Sequence, residues 1–228
     1  MNSNYYKTLK LIAKFRESKD APVDLLGPHA ISQIKYGDKV YRYQVLIALM
    51  LSSQTKDEVT SKAIQYLQKY GLKPKKIDKL STYELNELIK SVGFHNKKAI
   101  YIKKATKILL EKYNGDIPKT LAELTMLPGV GNKMGILAMN IAWNINCGIS
   151  VDTHVHKVCN RLGWIDTKNA EKTRKELEEW IPREYWASIN PLLVGFGQQI
   201  CLPRNPKCEK CPVNKYCNYY KNKEIKYS

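Results

Sequence analysis

The sequence predicts an all-α protein. Apolar residues recur at i, i+3 and i+4 in 44–52, 59–70, 99–112, 134–143 and 171–181, and period-2 alternation is scarce. Helix-starting and helix-stopping residues stand between the runs. Length and composition agree, because 228 residues, 43% of them hydrophobic and 26% charged, can bury a sizeable core as one large domain or two smaller lobes.

Taken in order, Leu9, Ile12 and Ala13 share one helical face and predict an N-terminal helix. Lys10 and Lys14 break any secretory apolar region there. The first 16 residues lack acids, as mitochondrial presequences do, but the helical spacing favours an element of the fold. Val45–Leu51 is the longest apolar run, far short of the roughly 20 residues a membrane span needs. Ser81 with Glu84 and Thr120 with Glu123 predict capping boxes. Gly71, Gly93, Gly115 and Gly163 each follow a helical run, where a left-handed cap is wanted. The intervals between the first three share little sequence, so they mark successive helices and no repeat. His154–Leu162 reads as a helix behind Asp152, and the chain closes on a Lys- and Tyr-rich end, 218–228.

Charge narrows the partner. Thirty-eight Lys and Arg against 21 Asp and Glu leave +17, spread along the chain. Such a surplus repels itself in the compact state and points to a polyanion. No basic amphipathic helix with exposed aromatics favours a membrane, so nucleic acid is the expected partner.

Without a secretory signal, the six cysteines suit metal ligation better than disulfides. Cys201, Cys208, Cys211 and Cys217 form a C-x6-C-x2-C-x5-C array with little hydrophobicity between them. Zinc and a 4Fe–4S cluster both accept four thiolates. Zinc sites usually come as two close pairs separated by a longer spacer, so one compact loop favours the cluster. Cys147 and Cys159 stand apart in apolar surroundings and read as small buried hydrophobes.

Leu127–Gly135, LPGVGNKMG, lies between two helical runs, 120–126 and 134–143. Pro128 ends the first helix, Gly129 and Gly131 permit a tight turn, and a second helix begins near Asn132 with its first amides exposed. This is a helix-hairpin-helix, which suits a DNA phosphate and reads no sequence. Lys133 follows at once. A phosphate-binding lysine is the plain reading; yet a helix N-terminus in a cationic neighbourhood disfavours the ammonium, and a neutral amine is a nucleophile. Asp152 is either a helix cap or a catalytic carboxylate, and the two roles can coexist. His154 and His156 fall on different helix faces, which argues against a metal pair.

MLSSQTKDEVT (50–60), LPGVGNKMG (127–135), VDTHVHKVCNRLGW (151–164), LLVGFGQQICLP (192–203) and the four-cysteine loop, in this order, resemble the endonuclease III branch of helix-hairpin-helix DNA glycosylases, in particular its eukaryotic-type members. The resemblance implies two helical lobes with a DNA-binding cleft between them. One is a six-helix barrel over 37–146 containing the hairpin (about 120–143). The other joins 1–36 to 147–228 and holds the 4Fe–4S loop at 201–217. It implies that Lys133 is the Schiff-base nucleophile, Asp152 the essential carboxylate, and Gln54 the residue filling the gap left by an extruded base. Phe94 falls in the wedge loop, and Leu127, Gly129, Val130 and Gly131 form the hairpin that grips DNA. Read without the resemblance, Gln54 is a helix-capping amide and Phe94 a core aromatic. Adenine-mismatch glycosylases lack the lysine, and the eight-oxoguanine branch lacks the cluster. Lysine plus cluster therefore implies a glycosylase and abasic-site lyase acting on oxidised pyrimidines in double-stranded DNA, as a monomer in the nucleus or mitochondrion. A monofunctional adenine or mismatch glycosylase and a non-catalytic hairpin module are the alternatives.

Overall fold

The structure, a computed structural model, describes residues 4–225, and these are helical with no strand among them. The helices are α1 (Tyr5–Phe15), α2 (Pro22–Leu26), α3 (Pro28–Ile31), α4 (Asp38–Ser52), α5 (Asp57–Tyr70), α6 (Pro74–Lys79), α7 (Thr82–Leu88), α8 (His95–Lys112), α9 (Leu121–Met126), α10 (Asn132–Trp143), α11 (Thr153–Leu162), α12 (Ala170–Trp180), α13 (Trp186–Gln199) and α14 (Asn218–Ile225). Residues 226–228 of the Lys- and Tyr-rich end lie outside the described residues. No helix among the described residues is long and apolar enough to cross a membrane.

Ser81 closes a full capping box with Glu84. Thr120 accepts from the Glu123 amide, but the Glu123 carboxylate receives the Thr120 hydroxyl instead of the backbone N–H. Gly71 and Gly163 cap α5 and α11 in the left-handed region. Gly93 does not cap a helix: α7 has already ended at Leu88, with Ile89 as its cap.

The chain divides into two compact units, Leu26–Cys147 and Met1–Leu25 with Gly148–Ser228. Residues 26–36, expected with the N-terminal helix, fall in the first of these because α3 and the turn Ile34–Tyr36 pack on α4. Within this unit α4 is the central rod. Every residue from Tyr43 to Leu51 is buried, and α3, α5, α8 and α10 pack around it. A helix apolar on all sides must be surrounded, and each large side chain so buried contributes about 1.5–3 kcal/mol. The polar start of α4 is tied by Arg42, which donates to both carboxylate oxygens of Asp116 at 2.9 and 2.7 Å and lies over the Trp143 ring. Burial pushes the Asp116 carboxyl up, but Arg42 outweighs it and holds the group below its ordinary range.

The discontinuous unit packs α1 and α11 against α13. Its core gathers Ile12, Val155, Val158, Leu162, Leu177 and Phe196, with Tyr5 edge-on to Trp164 and Trp180. Arg16 at the end of α1 is buried, donating to Asp24 and to Gln199 at 2.9 Å. A Cβ on Gly195 would fall on that guanidinium, and one on Gly197 on the His154 ring. The glycines of α13 are therefore the gaps through which α1 and α11 approach it.

Candidate active site

The hairpin forms as its sequence requires. α9 ends at Met126, the Val130 amide bonds back to the Leu127 carbonyl at 3.1 Å, and Gly131 is the N-cap of α10. Leu127 and Val130 bury their side chains in the core of their unit, so they anchor the turn and leave only backbone to face a ligand. Gly129, at φ +80, is needed twice over: the conformation suits glycine, and a Cβ would sit 2.8–3.0 Å from Tyr101 of α8. Gly131 differs, with φ −93 and nothing within 4 Å of its missing Cβ. Open space there leaves the glycine turn ahead of α10 accessible, and the amides of a helix's first turn have no acceptor inside the helix.

These two glycines give a paired prediction. Gly129→Ala is expected to destabilise the protein by about 2 kcal/mol, through backbone strain and displacement of Tyr101. Gly131→Ala should fold within about 0.5 kcal/mol of the parent, yet bind DNA more weakly because its methyl group covers the amides. Urea denaturation and a salt-dependent DNA titration separate the two effects.

Lys133 stands in the first turn of α10 with its side chain exposed. Asp152 belongs to the other unit and is the N-cap of α11, its Oδ1 accepting from the Val155 amide at 2.9 Å. His154 packs on Gly197, while His156 Nδ1 pairs with Thr173 at 2.7 Å, so the two rings serve different neighbours.

The loops that carry Gln54 and Phe94 meet at Gly93. Both residues are exposed and both take left-handed backbone, at φ 51 and φ 58. A Cβ on Gly93 would lie 2.9 Å from the Gln54 carbonyl oxygen, so the absence of a side chain at 93 lets the two loops touch. Phe94 is 61% exposed and caps no core, and the N-cap of α5 is Lys56, not Gln54. The plain readings of both residues therefore fail.

Sequence reasoning missed Lys98 beneath these loops. It is 6% exposed, and its Nζ donates to the Leu51 carbonyl at 2.7 Å, the Ser53 carbonyl at 2.6 Å and Thr55 Oγ1 at 3.1 Å. Burial pushes its pKa down to about 8. A signal existed: the apolar stripe of α8, followed back four residues from Ile102, lands on Lys98.

The six cysteines are all free thiols, which disposes of disulfides. Cys201 follows α13, Cys208 and Cys211 flank a 3-10 turn, and Cys217 precedes α14. All four line one cavity together with Phe196, Ile200 and Pro206, and Val213 anchors the loop in the core. Four thiols around an apolar cavity fit a thiolate-bound cluster. Arg161 donates to Cys201 Sγ at 3.4 Å and to the Leu202 carbonyl at 2.7 Å, stitching α11 to the loop. Arg204, Lys207, Lys210 and Lys215 are exposed on it. Cys159 is buried as expected, and Cys147 is half-buried against the core of its own unit, Leu26–Cys147.

Residues 47–183 match the family model of the HhH-GPD superfamily base excision DNA repair proteins, and 201–217 match the iron-sulfur binding domain of endonuclease III. Over 216 residues the chain is 51% identical to Endonuclease III-like protein 1 of Mus musculus, covering 94% of this chain and 72% of that one. The chain belongs to the endonuclease III family. The Gallus gallus protein of the same name is 50% identical, with 77% of its length covered. A solved endonuclease III, trapped as a covalent intermediate with DNA, superposes with a TM-score of 0.84 at 28% identity, covering 98% of this chain and 99% of that one. As an endonuclease III-family enzyme, the chain is a base excision repair DNA glycosylase and abasic-site lyase that carries a 4Fe–4S cluster.

Proposed function

We propose that the chain excises oxidised pyrimidines of the thymine-glycol type from double-stranded DNA and then nicks the strand through a lysine Schiff base. The observation that carries this reading is Lys133, exposed in the first turn of α10 directly behind the glycine turn of the hairpin. The hairpin grips phosphate and presents the amine next to it. A base inside a duplex is out of reach, so the damaged nucleotide is extruded, and a saturated pyrimidine costs less to flip because it stacks poorly. Phe94 enters the stack and Gln54 fills the gap. Neutral Lys133 Nζ attacks C1′, the glycosidic bond breaks towards the base, and the opened sugar forms an imine with the lysine. The sugar carries positive charge as the base leaves, and the Asp152 carboxylate stabilises it. Loss of a C2′ proton then expels the 3′ phosphate.

Cys201, Cys208, Cys211 and Cys217 hold the 4Fe–4S cluster, which when bound pins the basic loop in a shape that meets phosphates. The enzyme acts as a monomer in the nucleus, with the mitochondrion as a second compartment. One comparison supports the covalent route: a solved endonuclease III was trapped as a covalent intermediate with DNA.

The test is borohydride treatment of the purified protein with abasic duplex DNA, alongside release of thymine glycol from a duplex. A trapped adduct and release of the damaged base are expected. Base release without trapping would mean a monofunctional glycosylase, and neither would mean a hairpin module that only binds.

A further inference from the structure

Lys98 is used by nothing in the chemistry above, yet its placement is costly. It lies in the first turn of α8, where the helix dipole opposes a cation, and it is almost wholly buried. Three acceptors offset that cost. Leu51 belongs to the last turn of α4, where carbonyls lack partners inside the helix, and Ser53 and Thr55 flank Gln54 on both sides. An ammonium has three protons, and here each meets one oxygen.

The consequence reaches both loops. Gln54 is held at φ 51 between two residues that the same ammonium grips, a backbone state that a non-glycine residue keeps only when its surroundings enforce it. Lys98 starts from the same helix end as Phe94, whose carbonyl accepts the Lys98 amide at 3.1 Å. Gly93 closes the circuit by contact with the Gln54 carbonyl. We propose that Lys98 is a positioning residue that locks the Gln54 turn and the Phe94 loop into one rigid unit, so that wedge and gap-filler enter the base stack together. The proposal rests on the reading of Gln54 and Phe94 as the residues that enter the duplex.

The test compares abasic-site cleavage in a fully paired duplex with cleavage of the same site inside a short unpaired bubble flanked by duplex. The bubble keeps the phosphates and removes the stack that must be opened. Rates are normalised to the active fraction, titrated by borohydride trapping. For Lys98→Met, kcat on the paired duplex is expected to fall at least tenfold, with KM within about twofold because the hairpin grip is untouched. On the bubble, kcat should stay within about threefold of the parent. A merely structural role would lower both substrates equally, and that result, or an unchanged paired-duplex rate, would overturn the proposal. If Lys98→Met does not fold, Thr55→Val removes one of the three acceptors and carries the same test, with about a threefold loss expected on the paired duplex only. A Gln54→Ala/Phe94→Ala double variant is run beside them. If it shows no paired-versus-bubble difference, the reading of those two residues fails by itself. If it shows the difference and the Lys98 variant does not, only the role given to Lys98 fails.

Discussion

Replacing Lys133 by alanine is expected to abolish borohydride trapping on abasic duplex DNA and to lower strand cleavage by roughly 10⁴-fold or more, the scale on which enzymes lose a covalent nucleophile. The fold should not suffer. Lys133 is exposed in the first turn of α10, where a cation faces the positive end of the helix dipole, so its removal should leave stability within about 0.5 kcal/mol. Affinity for undamaged duplex should fall by at most one phosphate contact, because the hairpin amides remain. Three readouts on one variant (trapping, urea midpoint and salt-dependent binding) thus separate chemistry from grip. Lys98 offers no substitute amine, since it is buried and its three protons are engaged. Persistent trapping by Lys133→Ala would move the nucleophile elsewhere and remove the basis of the proposed mechanism.

The long helices and the hairpin could be read from the sequence because their local signals agree with the fold. α4, α5, α8, α10 and α12 each contain a predicted apolar run, and α10 begins at Asn132 behind its glycine turn. α13 is different. Pro191, Gly195 and Gly197 all argue against a helix locally, and only the approach of Arg16 and His154 explains the two glycines. The short helices α2, α3 and α6 lack room for periodicity; each begins at a proline, a usable signal at a first helical position. The four cysteines stand out by their spacing alone, whereas Lys133 and Asp152 are set apart from an ordinary phosphate-binding lysine and an ordinary helix cap only by the motifs that resemble the family. Lys98 does not, since one lysine in Asn-Lys-Lys-Ala resembles its neighbour until the helix phase shows which one faces inward. Burial of a polar group is a property of the phase of a helix, and periodicity scans that count only apolar residues pass over it.

Asp152→Asn is the substitution that separates the two roles of this residue. As the N-cap of α11 it accepts the Val155 amide, and an asparagine oxygen does the same nearly as well. What asparagine lacks is the charge. Stability should therefore change by less than about 1 kcal/mol, the dipole contribution of a surface anion, while Asp152→Ala should lose about 1 kcal/mol more by leaving that amide unpaired. Activity should order differently. Both variants lack the carboxylate that offsets positive charge on the sugar, so both should lose about 10²–10⁴-fold in base release. A cap and nothing more would give the opposite pattern, with Asn active and Ala impaired in proportion to its stability. Single-turnover release of thymine glycol, measured beside thermal unfolding of the three proteins, distinguishes the patterns. The abasic-site reaction adds a finer check. With the base already gone, no glycosidic bond breaks, so Asp152→Asn should be less damaging to cleavage of a preformed abasic site than to base release. Equal losses in the two reactions would mean that the carboxylate serves the imine chemistry of Lys133 as much as the departure of the base.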